Sequence, residues 1–315
     1  MKSLIISLFL LLGLFSTTAF SESMPAQCYA GQSCSAFFSW DGLKRSYTYH
    51  LPTDYSDKKK FPLIFALHGA GGTGGSFEDK LLKGEFDNIA DRDGFIIVYP
   101  DAVKKVWNHG ANDSLYSTAD DAGFLRNLMD YFIKNYPVDK DRVYFTGISS
   151  GGLMTYRMAC ENSGKIAAIA TVIASMPQPL DSDCSLVHPV SVLMINGTHD
   201  HIIAWNTHEI RGIFGKPLGA RLSVPETLQK WVALNNIAAK PTNRELPTPI
   251  DDGIKLLKTT YQGENGAEVI LIAEVGAGHT WPGGYQYLPV GVIGKTSENY
   301  DGSEEIWQFF KRHSL

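Results

Sequence analysis

The sequence predicts an α/β fold: a mostly parallel, twisted sheet with helices on both faces. Three observations predict it. Runs such as 61–67, 95–99 and 190–195 are apolar without alternation, which marks strands buried on both sides. Amphipathic segments of helical period stand between them. Glycine-rich turns follow several of these strands, as connections at one end of such a sheet do.

Taken in order, 35–39 and 45–51 read as short strands, the second with Tyr47, Tyr49 and Leu51 alternating. Residues 61–67 form a buried strand ended by His68-Gly69. A helix over 86–92 stops near Asp93-Gly94, and 95–99 is a strand closed by Pro100. A long helix starts at Thr118 and carries Phe124, Leu125, Leu128, Met129 and Phe132 on one stripe, with Pro137 past its end. Strand 142–146 runs into Gly147 and a sharp turn, and helix 153–160 follows. Further strands are expected at 166–174, 190–195, 255–261 and 268–274, with helices at 225–235 and 303–311. No repeat or low-complexity linker divides the chain, so residues 22–315 read as one domain.

Composition sets outer bounds. The chain has 315 residues, 44% of them hydrophobic and 19% charged, with a net charge of −5, so no basic stripe points to nucleic acid. The one long apolar run, 4–15, follows Lys2 and is too short to span a bilayer comfortably. It reads as an export signal over residues 1–21, with Ala19-Phe20-Ser21 as the cleavage site and Glu22 as the first mature residue. A secreted or periplasmic protein is expected, without a membrane partner once the signal is removed. Four cysteines, Cys28, Cys34, Cys160 and Cys184, fit two disulfides in such a protein. Three pairings are possible, the simplest being Cys28–Cys34 and Cys160–Cys184.

The chemistry sits where strands end. Gly147-Ile148-Ser149-Ser150-Gly151 matches G-x-S-x-G, with an apolar strand running in and a helix running out. That context suits a nucleophile held exposed on a tight turn, more than an ordinary glycine turn before a helix. A serine hydroxyl needs a base, and the base needs an orienting carboxylate. His279, in Gly276-Ala-Gly-His279-Thr-Trp-Pro-Gly, follows the last apolar strand and is the expected base. His313 is a poor candidate at a frayed end, and His188 precedes Pro189 at a strand entrance. The acid is expected after the strand following the turn, taken as 190–195, which selects Asp200 over Asp251 and Asp252 in a polar turn. The loop His68-Gly69-Ala70-Gly71-Gly72 lets backbone N–H groups approach a developing oxyanion. Ala70 and Ser150 are the expected donors. No G-K-[ST] follows, so a phosphate loop is disfavoured. His199, Asp200, His201 and His208 cluster, yet no H-E-x-x-H supports a zinc hydrolase. Neither a metal nor a cofactor is expected.

Together, His68-Gly69-Ala-Gly-Gly, Tyr99-Pro100-Asp101, Trp107-Asn108, Asp120-Asp121-Ala-Gly-Phe124, Gly147-Ile-Ser-Ser-Gly-Gly152 and Gly278-His279-Thr-Trp-Pro-Gly283 resemble the secreted polyhydroxybutyrate depolymerase and feruloyl esterase family of α/β-hydrolases. The similarity covers about residues 40–312. It implies an α/β-hydrolase fold and a serine carboxylesterase with Ser149, Asp200 and His279 as triad. Asp120-Asp121 then opens a helix as a structural cap, and Cys160 is similar to a family cysteine. Ala102 stands where glycine is common, and the elbow reads Ile-Ser-Ser rather than Leu-Ser-Ala. Trp107, Asn108, Trp205 and Trp281 are expected to line the substrate cleft. Ester partners compatible with the resemblance are hydroxybutyrate-type oligomers and hydroxycinnamoyl or acetyl esters of plant polysaccharide. A serine peptidase or an inactive binding protein on the same fold is the alternative.

Overall fold

A computed structural model describes residues 28–110, 118–212 and 215–315. The expected export signal and its cleavage site lie outside the described residues.

The strands are β1 (Gln32–Trp40), β2 (Leu43–Leu51), β3 (Phe61–Leu67), β4 (Ile96–Pro100), β5 (Val138–Ile148), β6 (Ala168–Val172), β7 (Ser191–Gly197), β8 (Glu209–Arg211), β9 (Pro217–Ala220), β10 (Thr242–Leu246), β11 (Lys255–Gln262) and β12 (Glu268–Val275). The α-helices are α1 (Gly74–Ser76), α2 (Glu85–Asp93), α3 (Asp121–Asn135), α4 (Ser150–Asn162), α5 (Leu180–Asp183), α6 (Val224–Leu234), α7 (Val290–Ile293) and α8 (Gly302–Phe310). Ten strands form one sheet in the order β1-β2-β4-β3-β5-β6-β7-β12-β11-β10. The six from β4 to β12 in that order run parallel. Antiparallel hairpins extend both edges.

Every residue of β3, β4, β6 and β7 is buried, because helices cover both faces. Successive side chains of β3 point to opposite sides. Phe61, Leu63, Phe65 and Leu67 pack with α3, α4 and α6, whereas Ile64 and Ala66 pack with Phe86 of α2 and Phe310 of α8. Phe65 and Phe145, paired across β3 and β5, stack with centroids 4.6 Å apart. Such a pair contributes about 1 kcal/mol beyond its buried area.

The chain crosses from β3 to β4 on one side and later returns to β5 on the other. A crevice therefore opens beyond the carboxyl ends of β3 and β5, where ligands bind in open α/β sheets.

Some boundaries differ from the sequence reading. β5 begins four residues earlier than expected, because Val138 pairs with Phe61 across a register shift that Asp139-Lys140-Asp141 disguises. α3 starts at Asp121 rather than Thr118, since the Asp120 carboxylate caps it by accepting the Gly123 N–H at 2.8 Å. The C-terminus is docked, not frayed: Tyr144 donates to the His313 carbonyl at 2.6 Å and Leu315 N–H to Asp141 at 2.9 Å. Disulfides join Cys28 to Cys34 and Cys160 to Cys184. The second ties α4 to the segment after α5.

Candidate active site

β5 ends at buried Ile148 and the chain turns at Ser149 with φ 53° and ψ −119°. That left-handed conformation costs a non-glycine residue roughly 1–3 kcal/mol, and the surroundings must enforce it. Ser149 N–H is tied to the Val172 carbonyl of β6 at 3.0 Å. Close approach explains the flanking glycines. A Cβ on Gly147 would lie 2.5 Å from the Gly151 carbonyl carbon, and one on Gly151 only 2.1 Å from the Leu67 carbonyl oxygen.

The loop after β12 brings His279 to this turn, held by a bond from its N–H to the Ile293 carbonyl at 2.5 Å. Its Nε2 lies 2.9 Å from Ser149 Oγ and its Nδ1 2.7 Å from Asp200 Oδ2. A carboxylate only accepts, so Nδ1 carries the proton and bare Nε2 accepts from the serine hydroxyl. The second oxygen of Asp200 is occupied too: Oδ1 accepts the N–H groups of Ile202 at 2.7 Å and Ile203 at 2.9 Å. Asp200 and His279 are both buried. The loop after β7 supplies Asp200, and β6 lies between β5 and β7. Asp200 thus follows the second strand after the Ser149 turn rather than the next one.

The glycine loop after β3 flanks the same turn, and a Cβ on Gly69 would sit 3.7 Å from Ser149 Cβ. Gly71 and Gly72 commit their N–H groups to the carbonyls of Lys105 (2.8 Å) and Gly69 (3.1 Å). Ser150 opens α4, so its N–H has no acceptor within the helix. His68 locks the loop: Nδ1–H donates to the Gly69 carbonyl at 2.7 Å, while Nε2 accepts the Ala102 N–H at 3.1 Å. Burial lowers its pKa and favours the neutral ring this arrangement requires. Ala102 has φ −76°, so alanine fits where glycine is common in the family.

Comparisons with known proteins point to esterases. Residues 45–176 match the family described as esterase PHB depolymerase. The protein named "Putative esterase NocK" of Nocardia uniformis subsp. tsuyamanensis is 27% identical over 278 residues, covering 85% of this chain and 79% of that one. Feruloyl esterase D of Neurospora crassa is 24% identical, covering 85% and 87% of the respective chains. The chain is thus similar to polyhydroxybutyrate depolymerases over residues 45–176 and to feruloyl esterases over most of its length. It is a carboxylic ester hydrolase. The solved acetyl xylan esterase from Aspergillus awamori shares its α/β-hydrolase fold, with a TM-score of 0.55, 15% identity, and coverage of 85% of this chain and 94% of that one.

In the esterase, several residues expected to line the cleft do not. Trp107 is fully buried under the glycine loop, its indole N–H donating to the His68 carbonyl at 2.9 Å and its backbone N–H to Ser150 Oγ at 3.3 Å. Trp281 is buried edge-on against Phe77 and Phe86. Asn108 turns its amide to the Ala119 carbonyl at 3.0 Å, and its own carbonyl accepts from Arg157 at 2.8 Å. These three hold loops together. Trp107 and Trp281 are buried among large apolar or backbone neighbours, whereas Asn108 is half-buried. Trp205 is half-buried and keeps a partly open face. His199, His201 and His208 are exposed, and His208 pairs with Glu226 at 2.7 Å.

Sequence reading missed other supports of the site. Asp101 fixes the glycine loop by accepting the Gly74 N–H at 2.7 Å. Asp121, beneath α3, forms a buried ion pair with Arg45 at 2.6 Å, and the guanidinium sits 4.0 Å from the Phe124 ring centroid. Tyr287 bonds the backbone of His279. Asp101 and Asp121 stood inside quoted motifs; Arg45 and Tyr287 carried no local signal.

Proposed function

We propose that the esterase is an exported serine enzyme working through a triad of Ser149, His279 and Asp200, with residues 1–21 as its signal and 22–315 as one catalytic domain. The observation that carries this reading is the unbroken hydrogen-bonded chain from Ser149 Oγ through both nitrogens of His279 to Asp200. Ser149 Oγ attacks the ester carbonyl carbon as His279 Nε2 takes its proton. The oxyanion is received by the N–H groups of Ala70 and Ser150, each worth about 3 kcal/mol of barrier. As the tetrahedral carbon collapses, the ester C–O bond breaks and the imidazolium protonates the departing alcohol. Water then enters, gives its proton to His279, and releases the acid from Ser149.

The substrate class that fits best is hydroxybutyrate-type oligomers or hydroxycinnamoyl and acetyl esters of plant polysaccharide. The relatives named for feruloyl and acetylxylan ester hydrolysis support this class. Both disulfides accord with an oxidising, extracytoplasmic setting.

A hydrolysis panel of p-nitrophenyl acyl esters, methyl ferulate, acetylated xylan and hydroxybutyrate oligomers tests the reading, with Ser149→Ala as control. Turnover by the wild type and its near-complete loss in the folded variant are expected, together with labelling of Ser149 by a fluorophosphonate. Wild-type rates in Ser149→Ala would overturn the triad.

A further inference from the structure

Arg221, just after β9, is fully buried, yet among the described residues no carboxylate lies within ion-pair distance of it. All five of its guanidinium N–H donors are nonetheless used. Nε donates to the Glu209 carbonyl at 3.2 Å. Nη1 donates to Ser175 Oγ at 2.8 Å and the Leu222 carbonyl at 3.0 Å. Nη2 donates to the Ala204 carbonyl and to Thr207 Oγ1, the latter at 3.1 Å. Two of these acceptors, on residues 204 and 207, belong to the loop that begins at Asp200, and a third, on Glu209, opens β8 at the end of that loop. Ser175 belongs to the segment leaving β6, whose Val172 carbonyl anchors the nucleophile. One side chain therefore clamps the acid's loop to the strand that holds the serine.

A cation buried without a counter-ion is costly unless hydrogen bonds and a nearby charge offset it. The carboxylates acting on Arg221 are those of Asp200 and Glu226. Glu226 is also bound by His208 and Ser223. Asp200 is buried and faces His279 on one side and the backbone of Ile202 and Ile203 on the other. Tyr287 is the other titratable group whose charge Asp200 influences.

We propose that Arg221 is a positioning residue for the acid of the triad: its hydrogen bonds fix the loop carrying Asp200 against the segment leaving β6. The proposal rests on the triad reading above. Burial pushes the guanidinium down to about 10, so it remains a cation at neutral pH.

The test is kcat against KM for Arg221→Lys, Arg221→Met and Thr207→Val, with near-UV circular dichroism confirming the fold and Ser149→Ala run alongside. In Arg221→Met all five hydrogen bonds are lost and the loop carrying Asp200 is released from the segment leaving β6. kcat falls about tenfold or more, with KM within about twofold. Arg221→Lys keeps only part of the donor set, so its kcat is expected between that of the wild type and that of Arg221→Met. Should the methionine variant not fold, Thr207→Val decides. It removes one acceptor on the acid's loop, and kcat is expected to fall about threefold with KM held. Wild-type kcat in that variant, or in folded Arg221→Met, overturns the proposal. If Ser149→Ala keeps activity, the triad reading itself fails. If it is inactive while the Arg221 series behaves as wild type, only the role of Arg221 fails.

Discussion

Tyr287 donates its hydroxyl to the backbone carbonyl of His279 at 2.8 Å. The bond grips the main chain of the proposed base rather than its ring. A phenol ionises at about 10, so the hydroxyl is a donor at neutral pH. Tyr287→Phe keeps the ring and removes only this bond. Steady-state kinetics should show kcat lower by about threefold to tenfold with KM nearly unchanged, as expected for one hydrogen bond that orients the imidazole. An unchanged kcat would show that the Ile293 contact holds the backbone alone.

Asp200→Asn should cost more. The amide can turn its NH2 toward Nδ1 and so favour the tautomer with the proton on Nε2, which cannot accept from Ser149. A fall in kcat of about 10⁴-fold is expected, partly recovered at high pH. The amide oxygen can still accept the Ile202 and Ile203 N–H groups, so thermal unfolding should change little compared with Asp200→Ala. A loss below about tenfold would contradict the orienting role.

Glu274 gives a prediction about stability rather than rate. It ends β12 as a fully buried carboxyl, raised to about 8 chiefly by burial, with Asp252 adding repulsion. In the unfolded chain it ionises near 4.5. Between these values the folded state holds the extra proton, so this residue makes stability fall as pH rises from about 4.5 to about 8. Glu274→Gln removes the titration. Its melting temperature at pH 8 should exceed the wild-type value by at least ~2 °C, with the gain shrinking toward pH 5. A pH-independent difference would mean that packing, not ionisation, sets the effect.

How far the sequence exposed this arrangement depended on what each side chain faces. β3, β4 and β7 were legible because burial on both faces demands uninterrupted apolar residues. The elbow was legible because its geometry admits only glycine beside the backbone of Leu67 and Gly151. The β8–β9 hairpin and β10, Thr-Asn-Arg-Glu-Leu, lie at exposed edges and carry no alternation, so they read as loop. Loop aromatics were harder still. Trp107 and Trp281 stand beside the right motifs, but periodicity does not say whether a loop side chain points to solvent or inward. Most hydrogen-bond partners of Arg221, and His279 for Tyr287, lie at separations of 8 to 46 residues, which leaves no local pattern to find.

Ser149 follows β5, Asp200 follows β7 and His279 follows β12, so the three groups ride on strands of one hydrogen-bonded ladder. Their spacing is inherited from the pitch and twist of that ladder, with β6 as the shim between hydroxyl and carboxylate. Thinning an alanine-rich slat such as Ala168 or Ala170, or wedging it apart, would therefore detune the reaction from within the wall of the protein, without altering any group at its mouth.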